Sequence, residues 1–344
     1  EISLGLVGSE MCIRDRCYYD YNKTEVGGIM KSLVKNIVIA AEFVIIAVLL
    51  AAVIRLYPEK RNAVETAASV PDSDNPVDYE DIKERVSKNY YDLSGKKVLM
   101  DDSTFGEIWI PALENVPAFS REKSNLKSRN GRMFYVEDSQ IKSYLGVDVS
   151  VHQDDIDWNE VKRAGIDFAM IRLGFRGYGT GEAQLDDNYR QNIDGARAAG
   201  LDAGVYFFSQ AVTVDEALEE AQIVIDSLDG LDVNYPVVYD WEIIYDDTAR
   251  TDDVPVDVLT DCCVAFCEAI RDAGYTPMIY QNKKTTMFKL DLERLTDYDF
   301  WLAEYNSEPT YYYDFTMWQY TSEGSVPGIE GDVDLNISFK DYAE

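Results

Sequence analysis

The sequence has one histidine and few basic residues, and both shortages narrow the classes of protein that it can encode. Its 344 residues include 63 Asp and Glu but only 32 Lys and Arg, which gives a net charge of −31. A chain this acidic is repelled by a phosphate backbone, so we exclude nucleic acid as a partner. With His152 as the sole histidine, a two-histidine zinc site is impossible, and we expect no metal or other cofactor.

Cysteine is also scarce, and its positions show no disulfide framework. Cys12 and Cys17 lie near the start of the chain, whereas Cys262, Cys263 and Cys267 fall within one predicted helix. We expect these last three to be small buried hydrophobic side chains, which is the usual state of free cysteine.

One long apolar run lies near the start of the chain. Residues 1–29 show no reliable periodicity and resemble translated sequencing-adapter sequence, so we interpret them as an artefact that precedes a true start at Met30. Two lysines follow, and then an apolar run over residues 37–54, which as a helix is about 27 Å long and can cross a bilayer. No small-residue cleavage site closes the run. Residues 30–57 therefore predict an uncleaved signal anchor, with cleavage and secretion as the alternative.

Two segments of weaker pattern separate this run from the rest of the chain. Residues 58–94 are polar and acidic, as in a stalk, with a possible helix over residues 77–91. Residues 95–142 contain strand-like pieces broken by Gly and Pro, at 98–100, 107–110 and 132–136. We predict a small β-containing segment there and assign it no chemistry.

Residues 143–344 alternate apolar strands with amphipathic helices. The predicted strands cover 145–149, 168–173, 203–208, 236–240, 277–280, 300–304, 315–319 and 331–335, and the predicted helices cover 158–164, 186–199, 214–228, 256–273 and 283–295. Eight strands with about five helices indicate an α/β fold, a compact parallel barrel related to the TIM barrel whose last crossovers lack helices. In such barrels, chemistry lies at the carboxyl ends of the strands.

The fourth predicted strand ends in two carboxylates, Asp240 and Glu242. Alternation along a strand places both on one face, about 6.5 to 7 Å apart. Two carboxyl groups in one cleft do not ionise equally, so one retains its proton and the pair can act as acid and base in glycoside cleavage. Acids are frequent enough in this chain for such a triplet to arise by chance. The position of these acids at the end of a buried apolar strand is what favours a functional role.

Further acids and aromatic side chains fall at neighbouring strand ends. Asp148 and Asp334 carry two more carboxylates, and His152 follows the first strand, where we interpret it as a rim residue. Flat apolar rings beside carboxylates suit the C–H faces and hydroxyl groups of sugars. The predicted substrate-binding residues are Tyr206, Phe208, Tyr280, Trp301, Trp318 and Gln319.

Several motifs, in order along the chain, resemble glycoside hydrolase family 25, the Ch-type lysozymes, over about residues 144–340. They are GVDVS at 146–150, PVVYDWE at 236–242, WLAEY at 301–305, WQYTS at 318–322 and GIEGDVDLN at 328–336. The resemblance implies a flattened β/α barrel that works without a metal ion. It also implies that Glu242 is the proton donor, that Asp240 is its partner, and that Asp148 and Asp334 complete the catalytic set.

The resemblance further implies an N-acetylmuramidase, which cleaves the β-1,4 bond between N-acetylmuramic acid and N-acetylglucosamine in peptidoglycan. We expect a monomer, anchored in the cell membrane with its catalytic domain outside, that remodels the wall. The alternatives are a non-catalytic wall-binding or tethering protein and a hydrolase of another N-acetylated glycan such as chitin. Substrate-assisted hydrolysis and direct inverting displacement both stay open.

Overall fold

The computed structural model of the chain describes residues 97–102, 106–245 and 247–343. The predicted artefact, signal anchor and stalk, over residues 1–94, lie outside the described residues. Within those that are described, no helix is both long and apolar enough to span a bilayer. All of them belong to the second of two compact units of the chain, which begins at residue 80.

Five short strands come first and form two small antiparallel sheets. They are β1 (Lys97–Asp102), β2 (Gly106–Pro111), β3 (Leu126–Arg129), β4 (Arg132–Glu137) and β5 (Gln140–Ile141). β1 pairs with β2, and β4 lies between β3 and β5. The three predicted strands of this region are confirmed. Asn130 and Gly131 form the β3–β4 turn with φ of 54° and 75°, the left-handed values of such a hairpin.

A closed eight-stranded barrel follows, with one extra strand, β8, paired outside it to β7. The nine strands are β6 (Tyr144–Val149), β7 (Phe168–Arg176), β8 (Ala183–Leu185), β9 (Asp202–Ser209), β10 (Val237–Trp241), β11 (Pro277–Asn282), β12 (Asp299–Ala303), β13 (Met317–Gly324) and β14 (Val333–Ser338). Around the barrel the order is β6, β7, β9, β10, β11, β12, β13 and β14, and β14 pairs with β6 to close it.

The direction of the last strand corrects the prediction of an all-parallel barrel. β14 runs antiparallel to both of its neighbours, β13 and β6, whereas the other barrel pairs are parallel. The connection over residues 325–332 is too short for the crossover that parallel strands need. As a result, the beginning of β14 lies beside the carboxyl ends of the other strands. We call this end of the barrel the mouth and the opposite end the base.

Five helices pack around the barrel, as predicted. They are α1 (Trp158–Arg163), α2 (Tyr189–Ala198), α3 (Val214–Leu228), α4 (Val256–Asp272) and α5 (Lys283–Lys289). Side chains cap three of their starts, because Asp157, Thr213 and Asn282 each accept a backbone N–H three residues ahead. The last predicted helix is shorter than expected: it ends at Lys289, and a separate 3-10 turn follows at Leu292–Arg294.

The barrel strands separate an inner core from an outer one. The inner core is an apolar layer toward the base that includes Phe168, Met170, Met278, Trp301 and Met317. The outer core fills the space between strands and helices and contains the three cysteines of α4, which are free and fully buried as predicted. Gly146 is required in this packing, because a Cβ there would come within 2.2 Å of the Phe168 ring.

The segment over residues 112–143 covers the base of the barrel. Phe119 stacks on Phe315 with ring centroids 4.3 Å apart, and Tyr135 meets Phe339 edge-on at 5.5 Å. Arg132 donates a hydrogen bond to the carbonyl of Ala164 at the end of α1. The small β-containing segment therefore shares its packing with the barrel, at the end opposite the mouth.

Candidate active site

The four predicted carboxylates gather at the mouth. Asp148 near the end of β6 and Asp334 near the start of β14 stand directly opposite each other in the antiparallel register. Asp240 lies at the end of β10, and Glu242 follows one residue beyond that strand. Their strand neighbours Val147, Trp241 and Leu335 belong to the outer core, so the acids face the inside of the barrel.

Two buried amide side chains bind Asp148. Its Oδ2 accepts hydrogen bonds from Gln319 Nε2 at 2.9 Å and from Asn336 Nδ2 at 2.7 Å. Asn336 lies two residues after Asp334, on the same face of β14, and Gln319 projects from the adjacent β13. Both donors are at most 1% exposed, so the position of the Asp148 carboxylate is set by rigid strands.

Aromatic donors fix the orientation of these two amides. Gln319 Oε1 accepts hydrogen bonds from the hydroxyl groups of Tyr280 and Tyr305, each at 2.9 Å. Asn336 Oδ1 accepts the indole N–H of Trp301 at 2.8 Å. Because each amide oxygen is occupied by a donor, each amide nitrogen must point to Asp148.

Asp148 and Asp334 share one proton. Burial is the main cause that raises the pKa of Asp148, and the hydrogen bonds from Asn336 and Gln319 oppose it. Burial, the charge of Asp148 and the hydrogen bond between the two carboxyl groups raise the pKa of Asp334 to about 9. Near pH 7 Asp334 therefore keeps its proton and donates a hydrogen bond to Asp148.

Glu242 and Asp240 are both protonated more readily than ordinary carboxyl groups. Burial, followed by the charge of Asp148, raises the pKa of half-buried Glu242 to about 7. Burial and the charges of Glu242 and Asp148 raise the pKa of Asp240, which is 4% exposed, well above its usual range. Within the part of the chain that the structure describes, Asp240 Oδ1 has no hydrogen-bond partner.

Arg172, a residue that the sequence argument missed, opposes this trend. It is a buried residue of β7 that forms an ion pair with Asp186, with Nη2 and Oδ2 2.8 Å apart. Its positive charge acts to lower the pKa of Asp240. A basic residue within the otherwise apolar predicted strand 168–173 is the signal that could have indicated it.

Three of the predicted binding residues surround Asp240 and the inner core beneath it. Phe208 on β9 and Tyr280 on β11 are its register partners on either side. Tyr206, two residues before Phe208, meets Trp301 edge-on with ring centroids 6.2 Å apart. Tyr206 and Phe208 are half-buried, so both keep part of their surface available to a ligand.

The other predicted binding residues have different places. Trp318 is wrong as a site residue: it is fully buried in the outer core and donates its indole N–H to the carbonyl of Glu304. It neighbours Gln319, and adjacent residues of a strand face opposite sides, so only one of them can face the barrel interior. Trp301 is 1% exposed and contributes through Asn336, without a free face for a sugar.

The rim also matches one prediction and adds one residue. His152 is exposed, on the 3-10 turn Val151–Gln153 that follows β6. Tyr305 is 46% exposed and ends the WLAEY motif, but it was not predicted as a site residue. Among the residues that the structure describes, no group of three His, Cys, Asp or Glu side chains is arranged to hold a metal ion.

Sequence comparisons match this region to a family of known enzymes. The sequence model of the family described as Glycosyl hydrolases family 25 matches residues 147–329. An autolytic lysozyme of Clostridium acetobutylicum is 26% identical over 193 residues, which are 56% of this chain and 54% of the relative. Lysozyme M1 of Streptomyces globisporus is 26% identical over 209 residues, 56% of this chain and 66% of the relative. The chain thus spans about half to two thirds of these two relatives.

Solved structures share the fold. The modular autolysin LytC from Streptococcus pneumoniae superposes with a TM-score of 0.51 and 21% identity, over 70% of this chain and 56% of that one. The spore cortex lytic enzyme SleM of Clostridium perfringens gives 0.50 and 23%, over 59% and 69% of the two chains. At these identities the likeness shows the barrel architecture alone.

Proposed function

The chain belongs to glycosyl hydrolase family 25, and from this premise we propose that it is an N-acetylmuramidase acting on peptidoglycan. The bond cleaved is the β-1,4 linkage from N-acetylmuramic acid to N-acetylglucosamine. The observation that carries the proposal is the pair formed by Asp240 and Glu242 at the mouth. Glu242 is a half-buried carboxyl group with a pKa of about 7, and Asp240 is a buried carboxyl group with an unpartnered oxygen.

Glu242 is suited to be the general acid. A pKa of about 7 keeps its proton in place at neutral or slightly acidic pH, where an ordinary glutamate is ionised. It protonates the glycosidic oxygen as the bond to the anomeric carbon breaks. The resulting carboxylate then accepts a proton from the water that completes hydrolysis, so that it returns to its starting state.

Asp240 is suited to bind the acetamido group of the sugar. An N–H brought to its unpartnered Oδ1 would stabilise the ionised carboxylate and lower its pKa toward the usual range. The acetamido oxygen can then attack the anomeric carbon and form a cyclic oxazolinium ion, which water opens. This is the substrate-assisted route among glycosidases, which retains the anomeric configuration, whereas direct displacement by water would invert it.

Asp148 supplies negative charge to the same space. As the ionised member of its pair, it stabilises the positive charge that develops on the sugar ring as the bond breaks. Its charge also keeps the proton on Glu242 before reaction. The hydrogen bonds from Gln319 and Asn336 hold this anion in place without neutralising it.

The cellular place of the enzyme is part of the proposal. The apolar run over residues 37–54 supports a signal anchor that holds the catalytic domain outside the cell membrane, next to the wall that it remodels. An anchored chain stays with membranes through high-salt and carbonate washes, because apolar burial and not charge retains it. Recovery of a soluble protein that begins after residue 54 would show cleavage and secretion instead.

Digestion of purified peptidoglycan by the full chain tests the activity. New reducing ends of muramic acid are expected, and Glu242→Gln should release none above background. Reducing ends of glucosamine would identify a different hydrolase, and faster cleavage of chitin would change the substrate. Binding to walls with no release by the unmodified chain would identify a wall-binding protein.

A further inference from the structure

The backbone carbonyl of Glu242 is bound by a buried glutamine, Gln210. Gln210 follows β9 and is fully buried. Its Nε2 donates to the carbonyl of Glu242 at 2.9 Å, and its Oε1 accepts from the hydroxyl group of Thr251 at 2.7 Å. Glu242 and Thr251 both lie in the connection between β10 and α4. The Gln210 amide therefore joins the start of this connection to a residue nearer its end.

A second glutamine acts on the other side of β10. Gln281 Nε2 donates to the carbonyl of Trp241 at 2.9 Å and is also buried, at 1% exposure. β10 lies between β9 and β11, and its ladder of backbone hydrogen bonds ends at Trp241. The carbonyls of Trp241 and Glu242 are therefore each bound by an amide from a different neighbour, where the backbone ladder has ended.

Gln210 is itself held by an arginine. Arg250 Nη1 donates to the carbonyl of Gln210 at 3.3 Å, and the same guanidinium pairs with both carboxyl oxygens of Glu216 at 2.7 and 2.9 Å. Glu216 lies in the first turn of α3, so the contact connects Gln210 to a rigid helix. Both ends of the Gln210 amide and its own backbone are thus fixed.

We propose that Gln210, oriented by Thr251, is a positioning residue that holds the Glu242 side chain in its half-buried place at the mouth. The role of Glu242 as acid rests on the proposed function, whereas its placement by Gln210 does not. The reason is geometric. The Glu242 carbonyl is bound by a side chain that cannot rotate without breaking a second buried hydrogen bond, and an unpaired buried amide is costly.

Substitutions at Thr251 test the inference without altering Gln210. Thr251→Val keeps the shape of the side chain and removes the donor to Gln210 Oε1, and Thr251→Ser restores a hydroxyl group. Gln210→Met removes both amide contacts in a side chain of similar length. We expect kcat to fall about threefold in Thr251→Val and about tenfold in Gln210→Met, with KM within twofold and the serine variant near wild type.

An NMR titration provides a readout that does not depend on activity. The full chain, labelled with ¹³C at glutamate side chains and held in detergent, is titrated, and Glu242→Gln identifies the Glu242 signal by its loss. The pKa of Glu242 should be lower in Thr251→Val and in Gln210→Met than in wild type, because a less restrained carboxyl group is better solvated. The alkaline limit of the activity should move to lower pH with it.

Thr260→Val is the matched control. The Thr260 hydroxyl group is equally buried on α4, donates to the carbonyl of Val256 and accepts the N–H of Asp291, away from the mouth. It should lower the melting temperature without moving the pKa of Glu242 or kcat. The same result for Thr251→Val would overturn the inference, even if Gln210→Met fails to fold. If wild type releases no muramic acid ends, the proposed function fails, and the titration alone decides the role of Gln210.

Discussion

Two groups of acidic side chains among the described residues have buried members, and they are neutralised in different ways. The mouth cluster consists of Asp148, Asp240, Glu242 and Asp334, inside the barrel. The outer cluster lies at the α3 side of β7 and consists of Arg176, Glu216, Glu219, Glu220 and Arg250. At its centre Arg176 is 3% exposed and Glu220 is fully buried, whereas Glu219 at its edge is exposed.

Arginine neutralises the outer cluster. Arg176 pairs with Glu220 at 2.6 Å and Glu219 at 2.7 Å, and it also donates to the carbonyls of Gly181 and Glu216. Burial acts to raise the pKa of Glu216, but hydrogen bonds from Arg250 and the Val212 backbone outweigh it and leave that pKa below its usual value. Glu216 is therefore an anion in a fixed ion pair.

Protons neutralise the mouth cluster. All four of its carboxyl groups have a pKa above the usual value, with burial as the largest cause. Arg172 forms its ion pair with Asp186 and acts on this cluster only through longer-range electrostatic attraction. A proton can be transferred in a reaction, whereas an arginine cannot give one up near neutral pH. Every acid of the outer cluster is paired with an arginine, whereas among the described residues none of the four mouth acids forms an ion pair with a basic side chain, so their protons are available for chemistry.

The largest effect is expected from removing the cation of the outer cluster. Arg176→Met leaves Glu220 buried without its partner, which should lower the free energy of unfolding by about 3–5 kcal/mol. Urea denaturation followed by circular dichroism measures it. Arg294→Met, which breaks an exposed ion pair with Asp261, should change stability by less than about 1 kcal/mol.

The pH dependence of that loss has a definite sign. Burial, against hydrogen bonds from Ser209 and Arg176, raises the pKa of Glu220 to about 7 from a usual 4.5. The folded state therefore binds this proton more tightly, and its contribution to stability declines as pH rises from 4.5 to 7. Without Arg176 the pKa rises further, so the decline should continue above pH 7. Equal losses at pH 5 and pH 8 would contradict this account.

The next effect concerns the rate, not the fold. Glu242→Gln removes a proton donor but no ion pair, so hydrolysis of peptidoglycan should fall at least about 100-fold while stability stays near wild type. Reducing-end release and thermal melting measure the two quantities. Glu160→Gln, an exposed glutamate of α1, should leave both unchanged. A rate near wild type for Glu242→Gln would mean that another residue is the acid.

A pair of variants should separate the two neighbours of Glu242. The charge of Asp148 raises the pKa of Glu242, whereas the charge of Glu242 in turn raises the pKa of Asp240. Asp148→Asn should therefore move the alkaline limb of kcat/KM to lower pH. Asp240→Asn should reduce kcat and leave that limb in place. The opposite pattern in pH profiles would show that Asp240 is the charged neighbour.

The last effect is expected at Asp334, and it depends on pH. Its pKa of about 9 lies above the usual 3.8, so the folded state binds the proton more tightly and wild type loses stability as pH rises between these values. Asp334→Asn still donates a hydrogen bond to Asp148 but has no proton to lose. The melting temperature of Asp334→Asn, relative to that of wild type, should increase as pH rises from 4 to 9. Asp332→Asn, at an exposed position, should show no such increase.

The sequence was a good guide to the barrel strands and a partial guide to the site. Most of the barrel strands are buried on both faces, as at Val237–Trp241, and this helped to locate all eight. The direction of β14 could not be read from its own residues, since it depends on how the preceding connection folds. Asp334 was assigned correctly to the mouth although the direction of its strand was not.

Long-range contacts set the limit for the site. Strand alternation alone could have separated Trp318 from Gln319, because neighbours in a strand cannot share a face. No local pattern connects Gln210 to Glu242 or Arg172 to Asp240, since each pair is brought together only when strands distant in sequence become adjacent. The carboxylates that gather at the mouth were therefore easier to predict than the side chains that hold them in place.

The antiparallel last strand also decides how this domain can be joined to other parts of a protein. Because β14 begins at the mouth, it delivers the chain to the base, where Phe339 packs against Tyr135 and Phe119. The chain also enters the barrel from that side, through residues 112–143. Linkers at either terminus would thus attach behind the cleft, and a long polymer could lie across the mouth without having to pass them.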